Sequence, residues 1–332
     1  MTKWLPTVFT AIMLAAPAAA NDTTAVLEAG GLVYTRQDDI SMESEHLFIS
    51  TSEVHVDYVF SNEADRDLET VVAFPMPDIA GGVDFMGGLD DAEHDNFMGF
   101  TVSQDGKPIE PTLQQRASVN GIDMTDVITA QGVSLLPQSD ATRAAIAKLP
   151  EDVLKDWQTR GLIIDMAYNP ESPVEPEFYP TWTLKTVFWW RTTFPAGQQV
   201  KVHHSYRPSV GGTVAMGFIQ DGKPNDFFAE YKERYCIDDA FMKTAAKLEK
   251  QQDYDKGVFF TETWLSYILT TGANWAGPIK SFTLTVDKGD PAYFVSFCGQ
   301  GVKKTGPTTF QMTAKDFYPE KDLHILLIGQ NQ

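Results

Sequence analysis

Two cysteines, Cys236 and Cys298, are the only thiols in the 332-residue chain. On a chain that carries an export signal, an even pair points to one disulfide. Two buried free thiols are the alternative. No Cys-x-x-Cys occurs, which argues against thioredoxin-like exchange. The densest run of carboxylates lies between Asp84 and Asp95 and includes Asp90, Asp91, Glu93 and Asp95. Hard cations take several oxygen ligands, so these four are the candidate calcium ligands. Their spacing does not fit an EF-hand loop, and a charge run is most often a solvated loop. Trp189 and Trp190 are a candidate platform for sugar rings, although core packing accounts for most strand tryptophans. The histidines, His46, His55, His94, His203, His204 and His324, stand at no zinc-ligand spacing. There is no G-x-S-x-G elbow and no H-E-x-x-H helix, so no catalytic residue is assigned. Gly299-Gln300-Gly301 up to Gly306 evokes a phosphate loop, but Pro307 stands where such a loop carries its lysine.

The elements that must position these groups are mostly strands. Val54, Val56, Tyr58 and Phe60 alternate with His55, Asp57 and Val59, and Leu68, Thr70, Val72 and Phe74 alternate in the same way. A period of two puts each set on one face of a sheet. The polar linker Ser61 to Asp67 predicts that the two strands form an antiparallel hairpin, which Pro75 and Pro77 end. Trp182 to Phe194, the turn at Pro195-Ala196-Gly197 and the run Val200, Val202, His204, Tyr206 predict a second hairpin of the same layout. His203 and His204 then point to opposite faces. Shorter strands are predicted around Gly30-Gly31, over Ile40 to Thr51 and on either side of Asp105-Gly106.

The period changes to 3.6 between about Asp123 and Trp157. Ser139 is placed to cap a helix over Asp140 to Lys148, and Pro150 to open another over Glu151 to Thr159 as its first residue. Asp226 to Gln251 reads as two further helical pieces, the second capped by Asp238. Strands resume around Phe282, Tyr293, Phe310 and His324.

The ends and the composition bound the class. Lys3, the apolar run Leu5 to Ala16 and the small residues Ala18-Ala19-Ala20 have the form of a secretory signal peptide, with cleavage expected after Ala20. No later stretch is long and apolar enough for a membrane helix. The formal charge is −19, and becomes −20 when Lys3 is removed with the leader. Such acidity argues against nucleic acid and anionic membrane partners. With 43% apolar residues the chain has enough to build a core.

Four passages together resemble a known family: NDTTAVLEAGGLVYTRQDDISMESE, EVHVDYVFSNEADRDLETVVAFPMP, NWAGPIKSFTLTVDKG from Asn274, and SFCGQGVKKTGPTTFQMTAKDF from Ser296. They resemble, in order and over most of the chain, the bacterial secreted family named domain of unknown function 4424. That resemblance implies an extracytoplasmic protein and supplies no activity, cofactor or catalytic residue. The strand-turn-strand closing on Phe74-Pro75 is also similar to the β-sandwich module that opens inter-alpha-trypsin inhibitor heavy chains, which implies an interaction role.

The expectation is a β-rich α+β fold: an antiparallel β-sandwich-like core with helical insertions. Its regions are a signal peptide (1–20), an N-terminal β-sandwich region (21–122), a helical insertion (123–168) and a C-terminal β-rich region (169–332) with a helical segment at 226–251. The expected role is a non-enzymatic binding module of the periplasm or secreted fraction, its partner an envelope protein or glycan. An envelope polysaccharide hydrolase and a carbohydrate-binding module are the alternatives. No cofactor is implied beyond the calcium option.

Overall fold

The structure is a computed structural model and describes residues 21–28, 31–82, 87–89, 91–92, 94–167 and 176–330. The expected leader, 1–20, lies outside the described residues. Strands β1 (Thr23–Glu28), β2 (Gly31–Thr35), β3 (Ile40–Ile49), β4 (Val54–Asn62), β5 (Leu68–Pro75), β6 (Thr101–Gln104), β7 (Lys107–Ile109) and β8 (Thr112–Val119) come first. Helices α1 (Thr125–Thr129), α2 (Asp140–Ile146) and α3 (Glu151–Thr159) follow. Then come β9 (Thr183–Phe194), β10 (Gln199–Tyr206), β11 (Val210–Thr213), helices α4 (Phe228–Tyr235) and α5 (Asp239–Glu249), and β12 (Phe260–Tyr267). The chain ends with β13 (Ile279–Asp287), β14 (Phe294–Phe297), β15 (Lys303–Lys304), β16 (Thr309–Phe317) and β17 (Leu323–Gln330). The fold is β-rich α+β, as expected.

Three sheets carry it. One contains the order β8-β9-β5-β1-β2; a second runs β15-β16-β13-β3-β4-β10-β6-β7; the third contains β14-β17-β12-β11. Pairing among these strands is antiparallel, save for β13 against β3, which run parallel. Inward residues of all three sheets share the largest core cluster, from Val72 and Phe188 on the first to Val56 and Phe282 on the second and Ile325 and Leu327 on the third.

The two expected hairpins are not hairpins. β4 and β5 lie in different sheets, and so do β9 and β10. β4 pairs with β10, Val56 opposite His204, while β5 pairs with β9, Phe74 opposite Phe188. Each polar linker therefore crosses the sandwich. The physical reason is that the apolar faces of both arms can then meet through the core: Phe60 of β4 and Phe194 of β9 contact edge to face at 5.9 Å. The corner is fastened by polar bonds. Asn62 Nδ2 donates to the carbonyls of Arg66 and Phe194, both at 2.8 Å, and Asp67 Oδ1 accepts from the Ala196 amide at 2.9 Å. Strands from 21–122 and from 169–332 consequently alternate within the same sheets.

The third sheet explains the LHILLIG run. Ile325 and Leu327 face the main core, while Leu326 and Ile328 face α4 and α5 together with Phe218, Tyr235, Ile237 and Phe241. A strand buried on both sides reads as a continuous apolar stretch. Asp238 caps α5 by accepting from the Phe241 amide at 2.7 Å. Ser139 caps α2 through the Ala141 amide at 3.1 Å, and α2 ends at Ile146, two residues before the expected Lys148. Pro150 is the N-cap residue of α3 and not its first helical residue; its extended backbone precedes the helix. α1 to α3 form a separate cluster in which Trp157 meets Trp182 edge to face at 6.2 Å. Among the described residues no helix is long and apolar enough to cross a membrane.

Candidate functional site

Cys236 and Cys298 are joined, with Sγ–Sγ 2.08 Å and Cα–Cα 5.0 Å. Cys236 ends α4 in the left-handed region (φ 54°), which turns the chain sharply into the Asp238 cap of α5. Cys298 follows β14. The bond thus ties the helix pair to the edge of the third sheet, where Ser296 Oγ also donates to the Tyr235 carbonyl at 2.9 Å.

A groove opens on each side of this bond. The larger, of about 660 Å³, is bounded by the first turn of α5 (Asp238, Phe241), by β14, and by the turns around Lys288 and Gly299. Among the described residues β14 is an edge strand, paired with β17 and with no second strand. Phe294 on it is 39% exposed. Lys288 Nζ donates to the carbonyls of Pro291 and Tyr293 and lies 5.8 Å from the Phe294 ring centroid. Lys304 Nζ lies 5.9 Å from the Phe310 centroid. Tyr293 rests on Gly329, where a Cβ would strike its ring. The groove is therefore aromatic, carries two lysines and is bordered by a strand edge whose outer side has no strand partner among the described residues.

The smaller groove, of about 490 Å³, is lined by Cys298 and by charged groups that include Glu230, Glu233, Arg234, Lys321 and Asp322. The Asp322 carboxylate accepts from the Thr270 amide and hydroxyl, and His324 Nδ1 lies 2.7 Å from Ser266 Oγ. Burial, with Arg234 adding to it, holds the His324 pKa below the usual imidazole value.

A sealed polar cluster occupies the main core, unforeseen from the sequence. Glu45, Asp22 and His204 are each 0% exposed. His204 Nε2 stands 3.4 Å from Asp22 Oδ2, and the ring is surrounded edge to face by Tyr58, Phe74, Phe100 and Trp190. Asn21 Nδ2 donates to Glu45 Oε2 at 3.2 Å, and the Tyr58 hydroxyl donates to Asn21 Oδ1. Burial pushes the Glu45 carboxyl up to about 8 and raises Asp22 as well. Being closed to solvent, these groups cannot meet a substrate unless the sandwich opens. For Glu45 and His204 the signal in the sequence was their place on the inward face of their strands, in phase with Leu47 and Ile49 for Glu45 and with Val202 and Tyr206 for His204.

The remaining candidates disperse. Trp190 is core, 3% exposed, while Trp189 is half-buried on the outer face of its sheet among Ala25, Val71 and Ala73. The two share no platform. Of the candidate calcium ligands, Asp90 and Glu93 lie outside the described residues. Asp91 Oδ1 is 2.7 Å from His94 Nδ1, and the Asp95 carbonyl accepts from Gln115. Among the described residues no group of three or more His, Cys, Asp or Glu side chains is placed to hold a metal ion.

The family model described as Domain of unknown function (DUF4424) matches residues 20–326. No curated protein matches the sequence. Among solved structures, the chain is similar to a candidate nutrient binding protein from Legionella pneumophila subsp. pneumophila str. Philadelphia 1. The identity is 14%, the match covers 93% of this chain and 70% of that one, and the TM-score is 0.42. It is also similar to an M1 zinc metallopeptidase from Deinococcus radiodurans, at 8% identity over 89% of this chain and 43% of that one, with a TM-score of 0.27. Likenesses this distant carry no functional argument.

Proposed function

For a chain that belongs to the family Domain of unknown function (DUF4424), we propose a non-enzymatic binding module of the bacterial cell envelope that holds an extended segment of a partner protein. The observation that carries this reading is the groove of about 660 Å³ beside β14. An edge strand offers backbone hydrogen bonds to an added strand, and aromatic pockets beside it select side chains. Work in the periplasm or the secreted fraction is part of the proposal. It is supported by the leader-like residues 1–20 and by a cysteine pair at bonding distance. The sugar-platform alternative has less support, because Trp190 is in the core and Trp189 faces the other way.

The test is site-specific photocrosslinking in the native envelope. A photoreactive phenylalanine at Phe294 is expected to give one recurrent protein adduct. The same group at Val214, 80% exposed and not among the residues lining the groove, is expected to give none. Equal adducts at both positions, or none at either, would overturn the reading.

A further inference from the structure

The first described residues of the chain are among the most deeply buried. Asn21, Asp22 and Thr23 are each 0% exposed, although they directly follow the expected cleavage point. The Asn21 backbone nitrogen donates to Thr271 Oγ1 at 2.9 Å, and that hydroxyl donates to the Asn21 carbonyl at 2.8 Å. Trp275 Nε1 donates to the Asp22 carbonyl at 2.8 Å. Residues about 250 positions further on thus close over this end of the chain.

The acid groups inside the closure outnumber the basic ones. Among the described residues the cluster holds two carboxyl groups, Asp22 and Glu45, and one basic side chain, His204. Its other titratable members are the phenols of Tyr58, Tyr206 and Tyr267, none of which supplies a cation. A buried carboxylate is costly unless it is paired. Neither Asp22 oxygen has a hydrogen-bond partner among the described residues beyond the looser approach of His204. With a peptide bond at the Asn21 nitrogen, that nitrogen is neutral, and among the described residues no cation acts on Glu45.

We infer that removal of residues 1–20 places a free α-ammonium group at Asn21 inside this cluster, as a buried cation beside Glu45 and Asp22, so that proteolytic maturation locks the fold. In the step, a signal peptidase adds water across the Ala20–Asn21 amide bond. Ala20 leaves with the carboxylate; Asn21 keeps the amine and takes up a proton from solvent. An unperturbed α-amine has a pKa of about 7.7 to 8.0; burial lowers it, and ionisation of Asp22 or Glu45 raises it. The Thr271 hydroxyl already accepts from this nitrogen.

The experiment compares the exported protein with a chain that starts one residue earlier, at Ala20, each with and without Glu45→Gln. Intact mass is expected to place the natural end at Asn21. The extension is expected to lower Tm by roughly 5 °C or more, as removing a buried charge partner does. In the Glu45→Gln background the same extension should cost less than half as much. If the extended chain fails to fold, labelling of the natural protein decides. Its α-amine should react with an acylating ester at neutral pH at least about tenfold more slowly when folded than in urea. A mature end elsewhere, an unchanged Tm, an equal cost in both backgrounds, or an amine that labels as fast when folded would each overturn the inference.

Discussion

Replacing Cys236 and Cys298 together by serine should cost about 4 kcal/mol. The bond spans 62 residues. In the chain-entropy account, freeing a loop of that length returns about 14 cal/mol/K to the unfolded chain, which is about 4 kcal/mol at 25 °C. The native side changes little, because Ser296 Oγ still reaches the Tyr235 carbonyl and the cluster of Phe218, Tyr235, Phe241 and Leu326 still holds α4 and α5 to the third sheet. The far-ultraviolet circular dichroism of the variant should therefore match that of the natural protein. For a chain of this size, a urea dependence of roughly 3 kcal/mol per molar turns the loss into a midpoint lower by about 1 to 1.5 M. The natural protein in excess reductant should unfold with the variant. Midpoints within about 0.3 M of each other would refute the loop-closure reasoning.

Four further outcomes are expected. Leu326→Ala, at a fully buried position between α5 and the third sheet, should cost about 2 to 5 kcal/mol by urea denaturation, whereas Ile122→Ala, 61% exposed, should stay within about 0.5 kcal/mol. Asn62→Ala strips a donor from the carbonyls of Arg66 and Phe194 and should cost about 1 to 3 kcal/mol; a neutral result would mean the crossing corner does not depend on it. With the photoreactive group moved to Lys304 on the same groove, Phe294→Asp should abolish the adduct while leaving Tm within a few degrees, since this ring sits on the surface of an edge strand. Burial raises the Glu262 carboxyl above its ordinary range, against the lowering effect of bonds from Tyr231, Gly217 and Thr213. The folded protein then holds that proton more tightly than the unfolded chain, so stability is lost as pH rises from about 4.3 through the raised folded value. The stability difference between natural protein and Glu262→Gln should accordingly fall with rising pH; a difference constant from pH 4 to 8 would contradict the assignment.

The face of each residue was legible in the sequence more surely than the sheet it belongs to. Alternation in VHVDYVF and in VKVHHSY fixed what points inward, and β4 and β10 bury those positions. Period two is blind to whether the next strand lies beside or opposite, and a short polar linker serves both arrangements. The expected hairpins were therefore assigned to single sheets when the chain crosses between two. Caps at Ser139 and Asp238 were readable because a side-chain oxygen two or three residues ahead of an amide is a local matter. The buried cluster was not, since Asp22, Glu45 and His204 come together only through sheet pairing across most of the chain. The groove was hidden for the same reason: α5, β14 and the turn at Gly299 are brought together by tertiary packing, and only the Cys236 and Cys298 pair hinted at it.

The interlocked crossings of β4 with β10 and β5 with β9 set the order in which the molecule can come into being. A chain delivered from its N-terminus presents β4 and β5 long before residues 183–206 arrive to pair with them. Through that interval both strands carry open edges and bare apolar faces, the combination that draws chains together into aggregates. β3 waits longer still, for β13. Assembly is thus late, concerted and slow, as is general where pairing is between distant segments. A newly made chain of this design stays open to aggregation until its last third is in hand, and cutting it between 122 and 123 should leave two pieces that are insoluble apart and fold only together.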